Sequence, residues 1–188
     1  MIAKARHFLS NRESNLLAIY HSIYSSHMIY GCQIWGQNNS PSFNRIKVNQ
    51  NNALRLVSFA PSFRDHVSPI YHQYGILKLR DHITLQNLLL IHDYFNKKLP
   101  ASFQDYFTLL SSLHNHGTRG ALSGQLWAPN IETVRYGRNS IKNQAILSWN
   151  NFIKEFPTET DFIHLSRTTF KKRVTNHFVE SYTHLNPN

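Results

Sequence analysis

The segment Ser10-Asn11-Arg12-Glu13-Ser14-Asn15-Leu16-Leu17-Ala18-Ile19-Tyr20-His21-Ser22-Ile23-Tyr24-Ser25-Ser26-His27-Met28-Ile29-Tyr30-Gly31-Cys32-Gln33-Ile34-Trp35-Gly36 decides the fold class. Ser10 and Glu13 have capping-box spacing, in which a hydroxyl and a carboxylate satisfy the free N–H groups that begin a helix. Leu16, Tyr20, Ile23, His27, Tyr30 and Ile34 then recur at three- and four-residue steps. At 100° per residue they share one face, so the spacing predicts an amphipathic helix whose large aromatics, Trp35 included, serve as core. Gly31 and Gly36 permit close approach or end the helix.

The same reading extends along the chain. Ser40-Pro41 is an N-cap followed by a proline at the first helical position. Phe43, Ile46, Ala53 and Val57 form the apolar stripe of the helix it starts, and Gln50 lies on that stripe and needs partners if buried. Residues 67–74 make a short amphipathic segment that Gly75 breaks. Residues 79–95 make a long, mostly apolar helix that 96–100 ends, with His82 and His92 as core or surface residues rather than ligands. A shorter helix is expected over 101–113.

Between 111 and 140 the composition changes. Gly117, Gly120, Gly124, Pro129 and Gly137 accompany Arg119, Arg135 and Arg138, with Glu132 the one acidic residue. A long basic loop with a small β-hairpin over 125–136 is expected, and loops this long are often functional. Arginines beside flexible glycines, with Trp127 and Tyr136 as stacking planes, are what an unpaired RNA strand requires. Two helices follow. Ser140 caps the first, in which Ala145, Trp149 and Phe152 line one side and Asn150 binds backbone groups at the helix end. The second aligns Phe170, Val174, Phe178 and Tyr182, leaving Lys171, Lys172 and Arg173 outside. Trp149 is the expected core anchor, and Tyr182, near a fraying end, the lesser contributor. The whole reads as a mainly α, multi-helix domain with a basic Gly/Arg loop or small β-hairpin insertion: helical over 1–110, inserted over 111–140, helical again over 141–188.

Composition narrows the function. The 188 residues carry 20 Lys+Arg against 10 Asp+Glu, a formal charge of +10 that favours a polyanionic partner. Aromatics at 13% argue for a packed core rather than disorder. The single cysteine, Cys32, excludes an internal disulfide framework and is expected as a reduced thiol. No run approaches a membrane span and no secretory leader is visible, so an intracellular protein, nuclear or cytoplasmic, without membrane association is expected. His114-x-His116 with His7 or Cys32 is a weak zinc pattern, since structural zinc sites need four matched ligands. Neither a Gly-x-Ser-x-Gly elbow nor a glycine-rich phosphate loop is present.

Five landmarks recur in a fixed order: Leu16-Leu17 to Trp35-Gly36; Gln50-Asn51-Asn52-Ala53-Leu54-Arg55; His114-Asn115-His116-Gly117-Thr118-Arg119; Tyr136-Gly137-Arg138-Asn139-Ser140-Ile141; and Trp149-Asn150 ahead of Phe170-Lys171-Lys172-Arg173. Together they resemble the thumb and post-thumb region of non-LTR retrotransposon (LINE, jockey-like) reverse transcriptases. The family often has Asn where this chain has Gly117, which puts a side-chain role there in doubt. The resemblance implies a parent that copies RNA into DNA from a nicked target, with magnesium held by palm carboxylates. This chain has no Tyr-x-Asp-Asp turn, and its aspartates (65, 81, 93, 105, 161) and glutamates (13, 132, 155, 159, 180) are scattered. The resemblance therefore implies a piece without catalysis or cofactor of its own, partnered by RNA or an RNA–DNA hybrid and by the parent's upstream palm and fingers. Arg45 and Arg55, with Asn52 on a helix sector roughly 80° wide, join Thr118, Arg119, Arg135, Arg138, Lys171, Lys172 and Arg173 as expected nucleic-acid contacts. The alternative is a helical protein-binding scaffold with a merely basic surface.

Overall fold

The computed structural model describes residues 12–37, 40–60, 64, 66–113, 124–156 and 160–183, and among these it is mainly helical without a named strand. The capping residue Ser10 and the motif residues Thr118 and Arg119 lie outside the described residues. In order come α1 (Arg12–Ile19), a π-helical turn (Tyr20–Ser25), α2 (Ser26–Ile29), α3 (Cys32–Trp35), α4 (Pro41–Val57), α5 (Ser68–Tyr74), α6 (Leu79–Phe95), α7 (Ile141–Glu155) and α8 (Arg167–Ser181). Two compact units divide the chain, residues 1–83 with 175–188 and residues 84–174, so the boundaries fall within α6 and α8.

In the first unit the expected stripe holds only at its start. Leu16 and Tyr20 are fully buried, whereas Ile23 is exposed, Tyr30 is 85% exposed and Ile34 76%. The residues that go inside instead are Met28 and Cys32, with Tyr24 packed against that core, so the inward set runs 16, 20, 24, 28, 32. A step of four overshoots the α-helical repeat by about 40° each time. The π turn at Tyr20–Ser25 absorbs that drift by placing one more residue in the turn. Gly31 completes the reset: Tyr30 is extended (φ −60°, ψ 117°) and Gly31 left-handed (φ 61°, ψ 17°), the pair of angles a type II turn demands and glycine supplies.

α4 starts as its sequence requires, with Ser40 Oγ accepting from the Phe43 N–H at 3.2 Å and Pro41 following. Phe43, Ala53, Leu54 and Val57 are buried, and so is Gln50. The Gln50 amide is satisfied at both ends. Its Nε2 donates to the Tyr20 hydroxyl (3.1 Å) and the Leu77 carbonyl (3.0 Å), while its Oε1 accepts from the Leu79 N–H (3.0 Å). Gly75 ends α5 in the left-handed region as expected. Two further helix ends place non-glycine residues there, Phe59 (φ 55°) after α4 and Lys97 (φ 54°) after α6. Each is followed by a bond back to the fifth preceding carbonyl, Ala60 N to Arg55 O at 3.1 Å and Lys98 N to Asp93 O at 2.9 Å. These are Schellman caps that accept the left-handed cost for the sake of pairing the last carbonyls.

Tyr182, on the apolar face of the last helical pattern, goes inside. It is buried, its hydroxyl donates to Asp81 Oδ2 and accepts from the Lys78 N–H at 3.1 Å, and the Lys78 ammonium lies 4.2 Å from the ring centre. A side chain directly after α8 thus closes the first unit.

The second unit packs around Trp149, which is fully buried with Phe95, Phe152 and Phe170 at ring distances of 5.6, 6.5 and 6.4 Å. His92 is a core histidine, stacked 4.7 Å from Phe170 with its Nε2 at 3.0 Å from the Leu165 carbonyl. Ser140 caps α7 by accepting from the Asn143 N–H at 3.3 Å. Phe170 and Val174 face inward on α8 as the pattern predicts.

Two expectations fail in this unit. Residues 101–113 form no helix beyond isolated 3₁₀ turns at Ala101–Phe103 and Leu110–Ser112. The Tyr94 hydroxyl sits within 2.9 Å of the Gln104 carbonyl and 2.8 Å of the Phe107 carbonyl, taking acceptors that a helix would use, while Phe103, Tyr106 and Phe107 cluster edge to face. Nor does a hairpin form over 125–136. Leu126 pairs with Leu109 in an isolated antiparallel bridge, and Val134–Arg138 coils into a π turn. Long-range anchors explain this outcome: the Trp149 indole donates to the Gly124 carbonyl (3.1 Å), and the Asn150 side chain both donates to and accepts from the Leu126 backbone at 2.8 Å. Asn150 thus binds backbone groups from within α7, not at its end.

Candidate nucleic-acid interface

Three segments of the first unit converge on one concave pocket of about 470 Å³. α4 contributes Lys47, Asn51 and Arg55, which succeed one another every four residues and so climb one side of the helix. The turn before α5 adds Arg64 and His66, and the approach to α6 adds Lys78, Arg80 and Asp81. Among the described residues, five cationic side chains therefore line the space with one carboxylate, Asp81.

The α4 and α6 walls are braced. The Tyr71 hydroxyl donates to Asn51 Oδ1 at 2.8 Å, which turns the Asn51 NH₂ outward as a donor, and Arg55 is steadied by Asn52 Oδ1 at 3.3 Å. Arg80 is held by its bond to the Gly36 carbonyl (3.1 Å) and by the Phe43 ring, 4.3 Å away. The Lys78 ammonium is gripped by Ser68 Oγ at 3.0 Å and by the faces of Tyr182 and Tyr71, not by a carboxylate. Burial lowers the Lys78 pKa from its ordinary value, partly offset by Asp81. A cation that loses hydration without gaining an ion pair is disposed to take an anion.

Asp81 stands behind this set. Burial raises its carboxyl above the ordinary range, although the Tyr182 hydroxyl and the cations Lys78, Arg80 and Lys47 pull it back. In the unfolded chain the carboxyl titrates normally, so between the ordinary and the raised value the folded state holds a proton that the unfolded state lacks. Stability therefore falls as pH rises through that window. Asp81→Asn should flatten this limb of a melting-temperature profile taken from about pH 4 to about pH 7. Superimposable profiles for parent and variant would show that the carboxyl ionises as in water.

The sequence-derived contacts are distributed unevenly over these elements. Arg55 lines the pocket; Arg45 is exposed on α4 and does not. Thr118 and Arg119 lie outside the described residues, and the side chain of Arg135 does too. Arg138 is exposed but partly committed to local structure, its Nε donating to the Ile131 carbonyl at 3.1 Å while its own carbonyl accepts from Asn143 and Gln144, each at 2.8 Å. The neighbouring Gly137 is a steric necessity, because a Cβ there would fall 2.0 Å from Ile131 Cγ2. Lys171, Lys172 and Arg173 are exposed on α8, with Arg173 lying 5.4 Å from the Phe162 ring centre. Trp127 is 45% exposed.

Sequence reading missed Lys47, Arg64, Lys78 and Arg80. The four-residue run Lys47, Asn51, Arg55 was a usable signal on α4; the other residues meet it only through the tertiary fold. A larger cavity of about 730 Å³ in the second unit is lined by Tyr94, Phe95, Phe103 and Phe107, with Lys97 and Asp105 of opposite charge. Its charge gives no preference for an anion. Among the described residues no cluster of three metal-ligating side chains occurs and no helix is long and apolar enough to cross a membrane. His7, His114 and His116 of the zinc pattern lie outside the described residues, and Cys32 is buried, with its thiol pushed up to about 11 by loss of hydration. No family model, curated protein or solved structure matches the chain.

Proposed function

We propose that this chain is a nucleic-acid-binding helical module, the non-catalytic C-terminal thumb and post-thumb region of a non-LTR retrotransposon RNA-directed DNA polymerase. In this reading it grips template RNA or the RNA–DNA hybrid while the parent's palm and fingers, with magnesium, carry the chemistry. The reading has an intracellular setting, nuclear or cytoplasmic, with which a lone buried thiol is compatible. The observation that supports it most is the convergence of Lys47, Arg55, Arg64, Lys78 and Arg80 on one pocket where, among the described residues, Asp81 is the one carboxylate. Such a concentration of positive charge is costly to assemble unless a polyanion repays it.

Salt titration tests the proposal. Single-stranded RNA binding should weaken with salt, and replacing Lys47, Arg55 and Arg64 together by Gln should lower the magnitude of the log K against log salt slope by roughly 2 units, at about 0.7 per phosphate. The same replacement at Lys171, Lys172 and Arg173 should change it by less. An unchanged slope in the pocket variant, with circular dichroism showing an intact fold, would remove the pocket from the interface.

A helical protein-binding scaffold is the second reading, and it has its own supporting feature. Ile23, Ile29, Tyr30 and Ile34 are exposed within a short stretch of the first unit, and clustered apolar surface marks contact sites. Under the polymerase reading the same residues meet the upstream palm or fingers. RNA affinity that is absent at low salt would favour the scaffold.

A further inference from the structure

We propose that the pocket between α4, the turn before α5 and the start of α6 is a seat for a phosphate monoester, the 5′ end of a nucleic-acid strand, rather than one more stretch of a phosphodiester track. This deepens the nucleic-acid reading and rests on it. A diester backbone carries one charge per phosphate and is tracked by cations spread along an exposed surface, as Lys171, Lys172 and Arg173 are spread along one turn of α8. The pocket does the opposite, gathering cations from three segments around one cavity.

A monoester matches that arrangement because it carries about −1.5 to −2 charges and three acceptor oxygens on a single phosphorus. Three kinds of donor face it. Arg55 and Arg64 offer planar guanidinium groups suited to paired contacts with phosphate oxygens. Lys47 and Lys78 supply point charges, the latter half-buried between Ser68 and the tyrosine rings. Asn51, its carbonyl oxygen engaged by Tyr71, presents its NH₂. The cavity of about 470 Å³ exceeds what a bare phosphate fills, leaving room for the sugar to which it is attached.

Fluorescence anisotropy with two oligoribonucleotides of one sequence, one 5′-phosphorylated and one 5′-hydroxyl, tests this on the full chain. The phosphorylated strand should bind roughly tenfold more tightly, the worth of about one charge-assisted pairing. In Arg64→Gln/Lys78→Gln the ratio of the two affinities should fall to near one. Arg55→Gln, which leaves the Lys78 packing intact, should lower it as well. Competition by a nucleoside 5′-monophosphate separates the sources: displacement only at large excess assigns the strand end, and displacement at equal concentration assigns a free mononucleotide to the same seat. Equal binding of both strands by the parent would overturn the seat and leave nucleic-acid binding standing. Binding of neither strand would overturn both.

Discussion

Trp149→Ala is expected to destabilise the chain by about 3–5 kcal/mol, the range for removing a large aromatic from a packed core. The indole has no exposed surface, and Phe95, Phe152 and Phe170 surround it within 6.5 Å, so truncation leaves a void lined by rigid rings that cannot collapse into it. It also strips the Gly124 carbonyl of its donor. That carbonyl belongs to the segment that Asn150 holds at Leu126, so loss of the indole should loosen the basic insertion as well as the core. Denaturant titration followed by circular dichroism should show a lowered midpoint with little change in slope. Trp149→Phe, which keeps most of the bulk and loses the hydrogen bond, should cost less. A midpoint for Trp149→Ala within error of the parent would mean that the ring is not a packing anchor.

The second large effect is expected at Gln50. Replacement by Leu keeps the approximate size but orphans the Tyr20 hydroxyl, the Leu77 carbonyl and the Leu79 N–H, which the one amide now serves. Each buried orphan costs about 1–3 kcal/mol, and with partial relaxation the total should reach roughly 3–5 kcal/mol. Gln50→Glu separates donor from acceptor roles. It keeps the acceptor for Leu79 but loses both donated bonds and buries a charge, so it should be no better tolerated than Leu. Thermal melts of the two variants decide the matter: a loss below about 1 kcal/mol for Leu would indicate that water replaces the amide.

These two residues also mark what can be read without a structure. Trp149 in an apolar helical stripe and Gln50 on another are anomalies of local pattern, one too large to leave in water and one too polar to bury alone. Ser40-Pro41, Ser140 and Gly75 are likewise decided by chemistry within four residues. The rest depends on partners far along the chain. Residues 101–113 lose their helix to the Tyr94 hydroxyl and neighbouring rings, and the expected hairpin over 125–136 is diverted because α7 holds Gly124 and Leu126. The pattern put Tyr182 on an apolar face but could not supply its partner, because Asp81 is 101 residues away. In the candidate site only the α4 run Lys47, Asn51 and Arg55 was legible, since helical spacing says which side chains share a face but not which other segments that face will meet.

The attachment of Tyr182 to Asp81 and Lys78 has a temporal consequence. Chains emerge from the ribosome at about 5–20 residues per second, so the helices that frame the basic pocket wait on the order of 5–20 s after Asp81 is made before the side chain that braces Lys78 exists. During that interval the first unit is an open-ended assembly, its apolar faces competing for other contacts, and by its end every residue of the second unit, 84–174, has been synthesised. The nascent protein thus has its later-made unit in hand before its earlier-made one can close, the reverse of simple vectorial folding.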